Sequence, residues 1–357
     1  MVGVIAQDGW TDDLKAAVRR FQAGLYAQAG VQLLEILKRA PDDADARYFF
    51  RLVERRLRPV QPAAKPTLIW QFPPDAAWET DWLRGLLGPL CGAETVDNTW
   101  SAVADPMIVV DNRLVPEKAP YYRQAFERGA RIILIHLSDE AFKDDLGAYR
   151  YCDAVIRNYR SELLAELSGV FFLPLGPKSG FAATGDGAKP ASARRHAWAF
   201  AGDARKLTRG PMLEEMAKAA PGFTHLTSDF GSADALPTAE YRALLDDTVF
   251  APCPAGWSNL ESFRVYEALE AGCIPIVERR ANFDYFTQLL GPHPMPTVVD
   301  WRDGADLMRG LLGTGELEPL RRRCADWWRA YTPQLTREVG EFVARALGQA
   351  PSRHPRA

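Results

Sequence analysis

The chain has 357 residues, of which 47% are hydrophobic, 25% charged and 11% aromatic, a composition that excludes fibrous, collagenous and largely disordered proteins. Because a single core stops growing beyond about 250–300 residues, we expect two or three compact units. Lys and Arg total 43 against 46 Asp and Glu, a formal net charge of −3. No basic field of the kind that binds nucleic acid is present, so we expect no nucleic-acid partner.

The first residues and the cysteines indicate where the protein works. Residues 1–6 are too short for the core of a signal peptide, and no uncharged run approaches the ~20 residues of a transmembrane segment. The five cysteines are scattered, without C-x-x-C or zinc-site spacing, and read as reduced and mostly buried. We therefore expect a cytoplasmic protein with no metal site and no resident cofactor.

Residues 1–58 are predicted to form a small helical unit, because apolar residues recur there at three- and four-residue spacing. Gly24, Ala29 and Pro41 resemble the small and proline positions of a tetratricopeptide repeat. A third helix begins a second repeat that is not completed, so the unit must pack against the next domain or against a partner. Two interpretations stay open: a helical cap, or a docking site for a protein.

A different pattern follows a proline-rich connector at residues 59–66. Short apolar runs alternate with stretches of helical periodicity, which predicts a parallel sheet covered on both faces. The predicted strands of this first Rossmann-like domain, residues 66–176, are residues 67–72, 107–110, 132–135, 154–156 and 170–173.

The same alternation resumes after a loose linker at residues 177–195. It predicts a second Rossmann-like domain, residues 196–335, with strands at residues 197–201, 223–226, 248–251, 274–277 and 297–299. Residues 336–357 are expected to hold the end of a C-terminal helix and a disordered tail from Pro351, with Trp327, Trp328 and Tyr331 available to contact both domains. The predicted fold class is α/β, with two Rossmann-like domains preceded by a small all-α unit.

The loop after the predicted strand 248–251 carries the most ordered pattern. Ser258 and Glu261 form an S-x-x-E capping box that predicts the start of a helix, and Gly272 predicts its end. Parallel sheets bind ligands at the carboxyl ends of their strands, so this helix directs its amino end at a cleft between the domains. Backbone N–H groups at such an end favour a phosphate or diphosphate, and Arg264 and Glu267 share one helix face.

This stretch closely resembles the donor-binding segment of exostosin-like glycosyltransferases, whose pattern is P-x-G followed by S-x-R-x-x-E-A-L-x-x-G-C-I-P-V. The matching residues here are Pro254, Gly256, Ser262, Arg264, Glu267, Ala268, Leu269, Gly272, Cys273, Ile274 and Pro275, with Ile276 in place of the final valine. Scattered motifs at residues 136–140, 155–159, 173–176 and 199–203 extend the similarity over about residues 66–335. The helical unit lies outside it.

The resemblance implies a GT-B fold and transfer of a sugar, a hexosyl or pentosyl group, from a nucleotide-diphosphate donor to a hydroxyl of a protein or glycan. It implies inversion at the anomeric carbon without a metal. The glutamate pair of retaining enzymes is broken, because Asn259 stands where the first glutamate belongs. The residues expected to bind the donor are Gly202, Arg205, Arg209, Gly256, Ser258, Asn259, Ser262, Arg264 and Glu267.

Inversion also requires a general base on the acceptor side, and candidates are expected after the strands of the first domain. Asp139 is the first candidate, followed by His136 and Asp111. Each has a simpler interpretation as well, Asp139 as a helix cap and His136 as a core histidine. In the second domain, Arg264 and Glu267 are alternatively an ion pair on a solvated helix, Glu261 a cap, and Arg205 and Arg209 surface charges.

Two other functions stay open at this point. One is a non-catalytic interaction protein that keeps the two-domain scaffold. The other is a nucleotide-sugar epimerase, because that fold also hosts such chemistry. Donor-induced stabilisation and product analysis distinguish these functions from transfer.

Overall fold

A computed structural model of the protein describes residues 9–57, 64–167, 169–181 and 189–348. The predictions made for the start of the chain, for most of the proline-rich connector, for the centre of the linker and for the tail lie outside the described residues. Within them, two parallel sheets and their helices follow a unit of three helices. None of the helices in the described part of the chain is long and apolar enough to cross a bilayer.

The helical unit consists of α1 (Asp12–Gln22), α2 (Tyr26–Arg39) and α3 (Ala44–Leu57). Thr11 caps α1 by accepting a hydrogen bond from the Leu14 N–H. The buried faces of all three helices share one hydrophobic core with one face of the first sheet. The predicted helices are present, and they cover the sheet.

Polar contacts also fix the helical unit to the sheet domain. Arg55 pairs with Asp153 at 2.8 Å with both side chains largely buried, and its guanidinium lies 4.2 Å from the centre of the Phe126 ring. The Tyr48 hydroxyl donates to the carbonyl oxygen of Arg150 at 2.8 Å. These contacts favour the interpretation of the unit as a cap.

The N-lobe, residues 64–181, contains a six-stranded parallel sheet in the order β2-β1-β3-β4-β5-β6. Helices α4 (Thr80–Leu87), α5 (Ala119–Glu127) and α6 (Glu162–Ala165) connect its strands. Five of the strands match the predicted apolar runs, and β2 is the strand that the sequence reading missed. The strands are β1 (Thr67–Trp70), β2 (Ala93–Val96), β3 (Met107–Asp111), β4 (Ile132–His136), β5 (Ala154–Arg157) and β6 (Val170–Phe172).

The C-lobe, residues 189–316, contains a five-stranded parallel sheet in the order β11-β10-β9-β7-β8. Each strand matches a predicted run: β7 (His196–Gly202), β8 (Phe223–Leu226), β9 (Thr248–Cys253), β10 (Ile274–Glu278) and β11 (Thr297–Val298). Its helices are α7 (Arg209–Ala219), α8 (Thr238–Asp246), α9 (Phe263–Glu270), α10 (Tyr285–Leu290) and α11 (Trp301–Leu311). The predicted fold class of two Rossmann-like domains after an all-α unit is confirmed.

The last helix, α12 (Leu317–Ala346), contacts both lobes. The Trp328 ring stacks on Trp82 of α4 with 5.8 Å between ring centres, and its indole N–H donates to Glu270 of α9 at 2.9 Å. The domain boundary predicted after residue 335 falls inside this continuous helix.

The chain leaves the N-lobe beside Trp82. The Trp82 indole N–H donates to the carbonyl oxygen of Pro174 at 3.0 Å, and Gly176 lies against the face of the ring with φ +69°. A Cβ atom on Gly176 would lie 2.4 Å from carbons of the Trp82 ring. Only glycine allows the chain to pass so close to the indole.

Candidate active site

A cleft of about 250 Å³ lies between the two lobes, where the carboxyl ends of strands from both sheets face each other. Four N-lobe residues line it, and the C-lobe contributes the loops that follow β7, β8 and β9 together with the start of α9. This is the position at which an open parallel sheet binds ligands. The N-lobe residues are Glu140, Tyr159, Leu175 and Lys178.

Two arginines from different helices meet at the floor of the cleft. Arg209 opens α7 and Arg264 lies in the first turn of α9, and their guanidinium carbons lie 6.0 and 4.5 Å from the centre of the Phe200 ring. Gly202, at the end of β7, has φ +148°, and a Cβ there would lie 2.7 Å from Nη2 of Arg264. The glycine thus leaves room for the Arg264 guanidinium group, and its predicted close approach to a donor stays a prediction.

These guanidinium groups donate to carbonyl oxygens. Arg209 donates to Asp203 at 2.9 Å and to Ala255 at 3.2 Å, and Arg264 donates to Ala201 at 2.6 Å. Burial and the neighbouring Arg264 charge lower the pKa of Arg209 to about 10. Among the described residues, no carboxylate forms an ion pair with either arginine. Two adjacent cations, one of them buried, without a carboxylate in ion-pair contact among the described residues favour the binding of an anion.

Two more donors at this point have no protein partner. Ser262, the residue that precedes α9, has extended backbone, and its hydroxyl is buried without a hydrogen bond to any described residue. The Nε of Arg264 is also buried and unpaired in the described part of the chain. Because an unsatisfied buried polar group costs about 1–3 kcal/mol, a ligand that accepts hydrogen bonds from these two atoms would gain affinity.

The predicted capping box is wrong. Helix α9 begins at Phe263, and Ser258 lies in the loop before it. Glu261 does not reach back to cap a helix, because both of its carboxylate oxygens are engaged elsewhere. Oε1 accepts from the hydroxyl of Tyr266 at 2.5 Å and from the Leu175 N–H at 2.8 Å, and Oε2 accepts from the Tyr285 hydroxyl at 2.6 Å. Since Leu175 belongs to the N-lobe, Glu261 links the two lobes.

Glu267 lies on the same face of α9 as Arg264, as the sequence predicts, and both line the cleft. It is only 6% exposed, so it does not belong to a solvated helix face. Burial raises the pKa of Glu267 to about 7, although the Arg264 charge and contacts with Lys178 and Tyr241 lower it in part. In its ionised form the Glu267 carboxylate can accept hydrogen bonds from ligand hydroxyl groups.

The side chain of Glu140 extends from the N-lobe and contacts the C-lobe. Its Oε1 accepts hydrogen bonds from the backbone N–H groups of Trp257, Ser258 and Asn259 at 2.6, 2.7 and 3.0 Å. The sequence reasoning named Ser258 and Asn259 as donor-binding residues but missed Glu140, although it follows the candidate Asp139 directly.

Asp139 itself does not line the cleft. One of its oxygens accepts from the Lys143 N–H at 2.7 Å, and the other lies 3.2 Å from the guanidinium of Arg157, with both side chains buried. His136 is also buried, with its ring nitrogens 2.7 Å from the Tyr149 hydroxyl and 2.9 Å from Asp144. The structure places both predicted bases inside a polar network of the N-lobe.

Asp111, the third predicted base, is fully buried at the end of β3. It pairs with Lys118 and accepts from the Tyr122 hydroxyl at 3.0 Å. Its carboxylate therefore serves the interior of the N-lobe as well, away from the residues that line the cleft.

Most of the predicted donor-binding residues come together. Three do not line the cleft. Arg205 pairs with Asp203 at 2.9 Å, and its side chain is 73% exposed. Ser258 and Asn259 contact Glu140 through their backbone N–H groups. In the described part of the chain, no group of three His, Cys, Asp or Glu residues is arranged to hold a metal ion. The predicted residues that line the cleft with their own atoms are Gly202, Arg209, Gly256, Ser262, Arg264 and Glu267.

Sequence reasoning missed the aromatic and basic residues at the mouth of the cleft. Lys178 lies 4.2 Å from the centre of the Trp78 ring, and Trp78 packs edge-on against Phe230. Lys206 lies 5.4 Å from the centre of the ring of Trp257, which is 66% exposed. Lys178 falls in the predicted linker and Phe230 in a loop without a motif, so no sequence pattern marks them.

A buried carboxyl near the lobe contact makes folding stability depend on pH. Burial raises the pKa of Glu79 from 4.5 to about 7, and the charge of Glu261 raises it further. The folded state therefore favours the protonated form, and its stability contribution is lost as the pH rises from about 4.5 through about 7. Relative to the wild type, Glu79→Gln is expected to gain up to about 3 kcal/mol of unfolding free energy between about pH 4.5 and 8. Urea unfolding across this range measures the gain.

The exposed Glu117 provides the matched control for this experiment. Glu117→Gln makes the same change of charge on the surface of the N-lobe, and its stability curve is expected to stay parallel to that of the wild type. If the curve of Glu79→Gln is also parallel, the raised pKa of Glu79 is contradicted.

A scan against models of protein families finds no match, and a search of curated proteins finds no relative. Solved structures that are similar include an alpha1,3-fucosyltransferase, with 9% identity and a TM-score of 0.49 over 82% of this chain and 92% of that chain. An O-GlcNAc transferase mutant from Thermobaculum terrenum matches with 13% identity and a TM-score of 0.45 over 94% and 84%. T4 phage BGT in complex with UDP and Mn2+ matches with 11% identity and a TM-score of 0.45 over 79% and 99%.

Proposed function

We propose that this protein is a glycosyltransferase that moves a sugar from a nucleoside-diphosphate donor to a hydroxyl acceptor. The observation that carries the proposal is the meeting of Arg209 and Arg264 at the carboxyl ends of the C-lobe strands, without a carboxylate partner among the described residues. A diphosphate supplies the missing negative charge and accepts hydrogen bonds from the unpaired hydroxyl of Ser262 and Nε of Arg264.

In this proposal the C-lobe binds the donor. The two arginines and the first turn of α9 hold the diphosphate, and Glu267 accepts hydrogen bonds from the ribose hydroxyl groups. When the bond between the anomeric carbon and the phosphate oxygen breaks, its electron pair moves to the departing nucleoside diphosphate. The fixed positive groups stabilise this charge, which supports transfer without a metal.

The N-lobe supplies the base. Inversion requires a group that removes the proton of the acceptor hydroxyl while the new bond forms on the opposite face of the sugar. Glu140 is our choice, because it brings an N-lobe carboxylate to the cleft, whereas Asp139, His136 and Asp111 are held inside the lobe. The ion pair between Asp139 and Arg157 fixes the loop that carries Glu140.

A thermal-shift screen against nucleotide sugars tests the donor, and a transfer assay with the stabilising donor tests the base. Glu140→Gln is expected to lower kcat by a factor of about 10²–10⁴, because the amide cannot accept the proton, while donor-induced stabilisation is retained. Glu117→Gln is the control and is expected to keep wild-type kcat.

Two outcomes would count against the proposal. If no nucleotide sugar raises the melting temperature, the cleft does not bind a donor, and a non-catalytic scaffold protein becomes the better explanation. If a donor is consumed without an acceptor and an epimer of its sugar accumulates, the activity is that of an epimerase.

The acceptor is proposed to be a protein or a glycan, and docking by residues 1–58 stays a prediction, as does the cytoplasmic location. Three apolar side chains within α2 or directly before it are exposed, and they are the place to test protein docking. They are Leu25, Val31 and Leu34, which are 47%, 67% and 44% exposed.

A further inference from the structure

The contact of Glu140 with the C-lobe has the geometry of a bound anion. Three successive backbone N–H groups, those of Trp257, Ser258 and Asn259, converge on a single carboxylate oxygen at 2.6–3.0 Å. Successive amides that point at one oxygen form a concave anion site, which carboxylate and phosphate oxygens both satisfy. In this protein the anion comes from the opposite lobe of the same chain.

Gly256 makes the close approach possible. A Cβ at this position would lie 2.7 Å from Oε1 of Glu140 and 3.0 Å from the carbonyl oxygen of Glu261. Because Gly256 has no Cβ, Oε1 of Glu140 can occupy the space in front of the three N–H groups.

The same carboxylate also belongs to the electrostatic environment of the arginine pair. The charge of Glu140 raises the pKa of Arg209, whereas burial and Arg264 lower it. Glu140 thus supplies part of the negative charge that the two guanidinium groups require. A diphosphate carries more charge than a carboxylate and is the stronger ligand for the same set of donors.

We propose that the N–H groups of Trp257, Ser258 and Asn259 form an oxyanion subsite for which Glu140 and the donor diphosphate compete. In the empty cleft Glu140 occupies the subsite and holds the lobes together. An arriving diphosphate takes the three N–H groups, and the released carboxylate is then free to accept a proton from the acceptor. The identity of the anion as a sugar donor rests on the proposed function, whereas the competition itself does not.

Binding of inorganic pyrophosphate to the full chain, measured by isothermal titration calorimetry at fixed ionic strength, tests this competition. Glu140→Ala removes the internal competitor and is expected to bind pyrophosphate at least about tenfold more tightly than the wild type. Glu140→Gln retains an oxygen acceptor without the charge, so an intermediate gain is expected. It carries the test if Glu140→Ala does not fold.

Asp229 is the control, because its carboxylate also lines the cleft but does not contact the three amides. Asp229→Asn removes the same charge and is expected to change the affinity by less than about threefold. Unchanged or weaker binding by the Glu140 variants overturns the proposal. An equal gain in Asp229→Asn overturns it too, since the effect would then come from the general field of the cleft.

The experiment separates this inference from the proposed function, because pyrophosphate carries no sugar. Tighter pyrophosphate binding in Glu140→Ala without any sugar transfer by the wild type would refute the transferase and retain the competition. Sugar transfer by the wild type with unchanged pyrophosphate affinity in the variants would refute the competition alone.

Discussion

Replacing Arg264 with methionine is expected to weaken the binding of nucleoside diphosphates at least about a hundredfold. Methionine retains packing against Phe200 but removes a positive charge and the unpaired Nε donor. Two charge-assisted hydrogen bonds to phosphate contribute roughly 3 kcal/mol together, which corresponds to a factor of more than 10² in the dissociation constant. Isothermal titration calorimetry with a panel of nucleoside diphosphates measures the loss.

Arg309→Met is the matched control, because Arg309 lies on the surface of α11, away from the cleft, and pairs with the nearby Asp306. Its affinity for the nucleotides is expected to equal that of the wild type. Since Arg264 and Arg209 repel each other, Arg264→Met is also expected to fold without a large loss of stability. Wild-type affinity in a folded Arg264→Met protein would remove the arginine pair from the donor site.

Replacing Gly176 with alanine is expected to lower the free energy of unfolding by about 3 kcal/mol or more. The new Cβ would lie 2.4 Å from carbons of the Trp82 ring, and φ at this position is +69°. The ring cannot move aside easily, because it stacks on Trp328 and donates to the Pro174 carbonyl oxygen. Overpacking costs about 1–3 kcal/mol and the left-handed backbone about 1–2 kcal/mol for a residue with a Cβ.

Gly24→Ala separates these two costs. Gly24 has a similar φ of +77° at the end of α1, but a Cβ there would have no atom within 4 Å. The free energy of unfolding of this variant is therefore expected to fall only by the cost of the left-handed backbone, about 1–2 kcal/mol. Urea unfolding of both variants gives the difference, and equal losses would show that the contact with Trp82 does not restrict the chain.

The buried parts of the fold could be predicted from the sequence because their patterns are local. Strands β3, β4 and β5 are buried along their whole length and appear as uninterrupted apolar runs. Strand β2 has all four residues exposed, at the edge of the sheet, so it has no apolar run to detect. Its pairing with β1 is a tertiary contact that no local pattern contains.

The start of α9 was mispredicted for a similar reason. Ser258 and Glu261 have the spacing of a capping box, but Glu261 finds stronger partners in the hydroxyls of Tyr266 and Tyr285. Tyr285 belongs to the next helix and is brought to Glu261 only by the tertiary fold. A local motif is overruled when a buried carboxylate has donors from other elements available.

The residues named from the sequence lie together in the C-lobe half of the cleft, whereas the N-lobe half was missed. The strand pattern places the loops at one end of the sheet, and the family resemblance supplied Gly202, Ser262, Arg264 and Glu267. In the N-lobe the sequence named Asp139, whereas the side chain that reaches the cleft from this loop is that of Glu140. The Asp139 side chain points into the lobe because its partners Lys143 and Arg157 lie there, and the side chain of Glu140 faces the cleft. No local sequence pattern contains these tertiary contacts.

The attachment of α12 to both lobes determines how the lobes can move apart. The stacked indoles of Trp82 and Trp328 lie beside the point where the chain passes from one lobe to the other, so a separation of the lobes pivots there. Such a rotation leaves the aromatic stack intact and breaks polar contacts across the gap, whose donors and acceptors water can satisfy. Exchange of a ligand in the cleft is then a rotation of the lobes about this stack rather than a partial unfolding of either lobe.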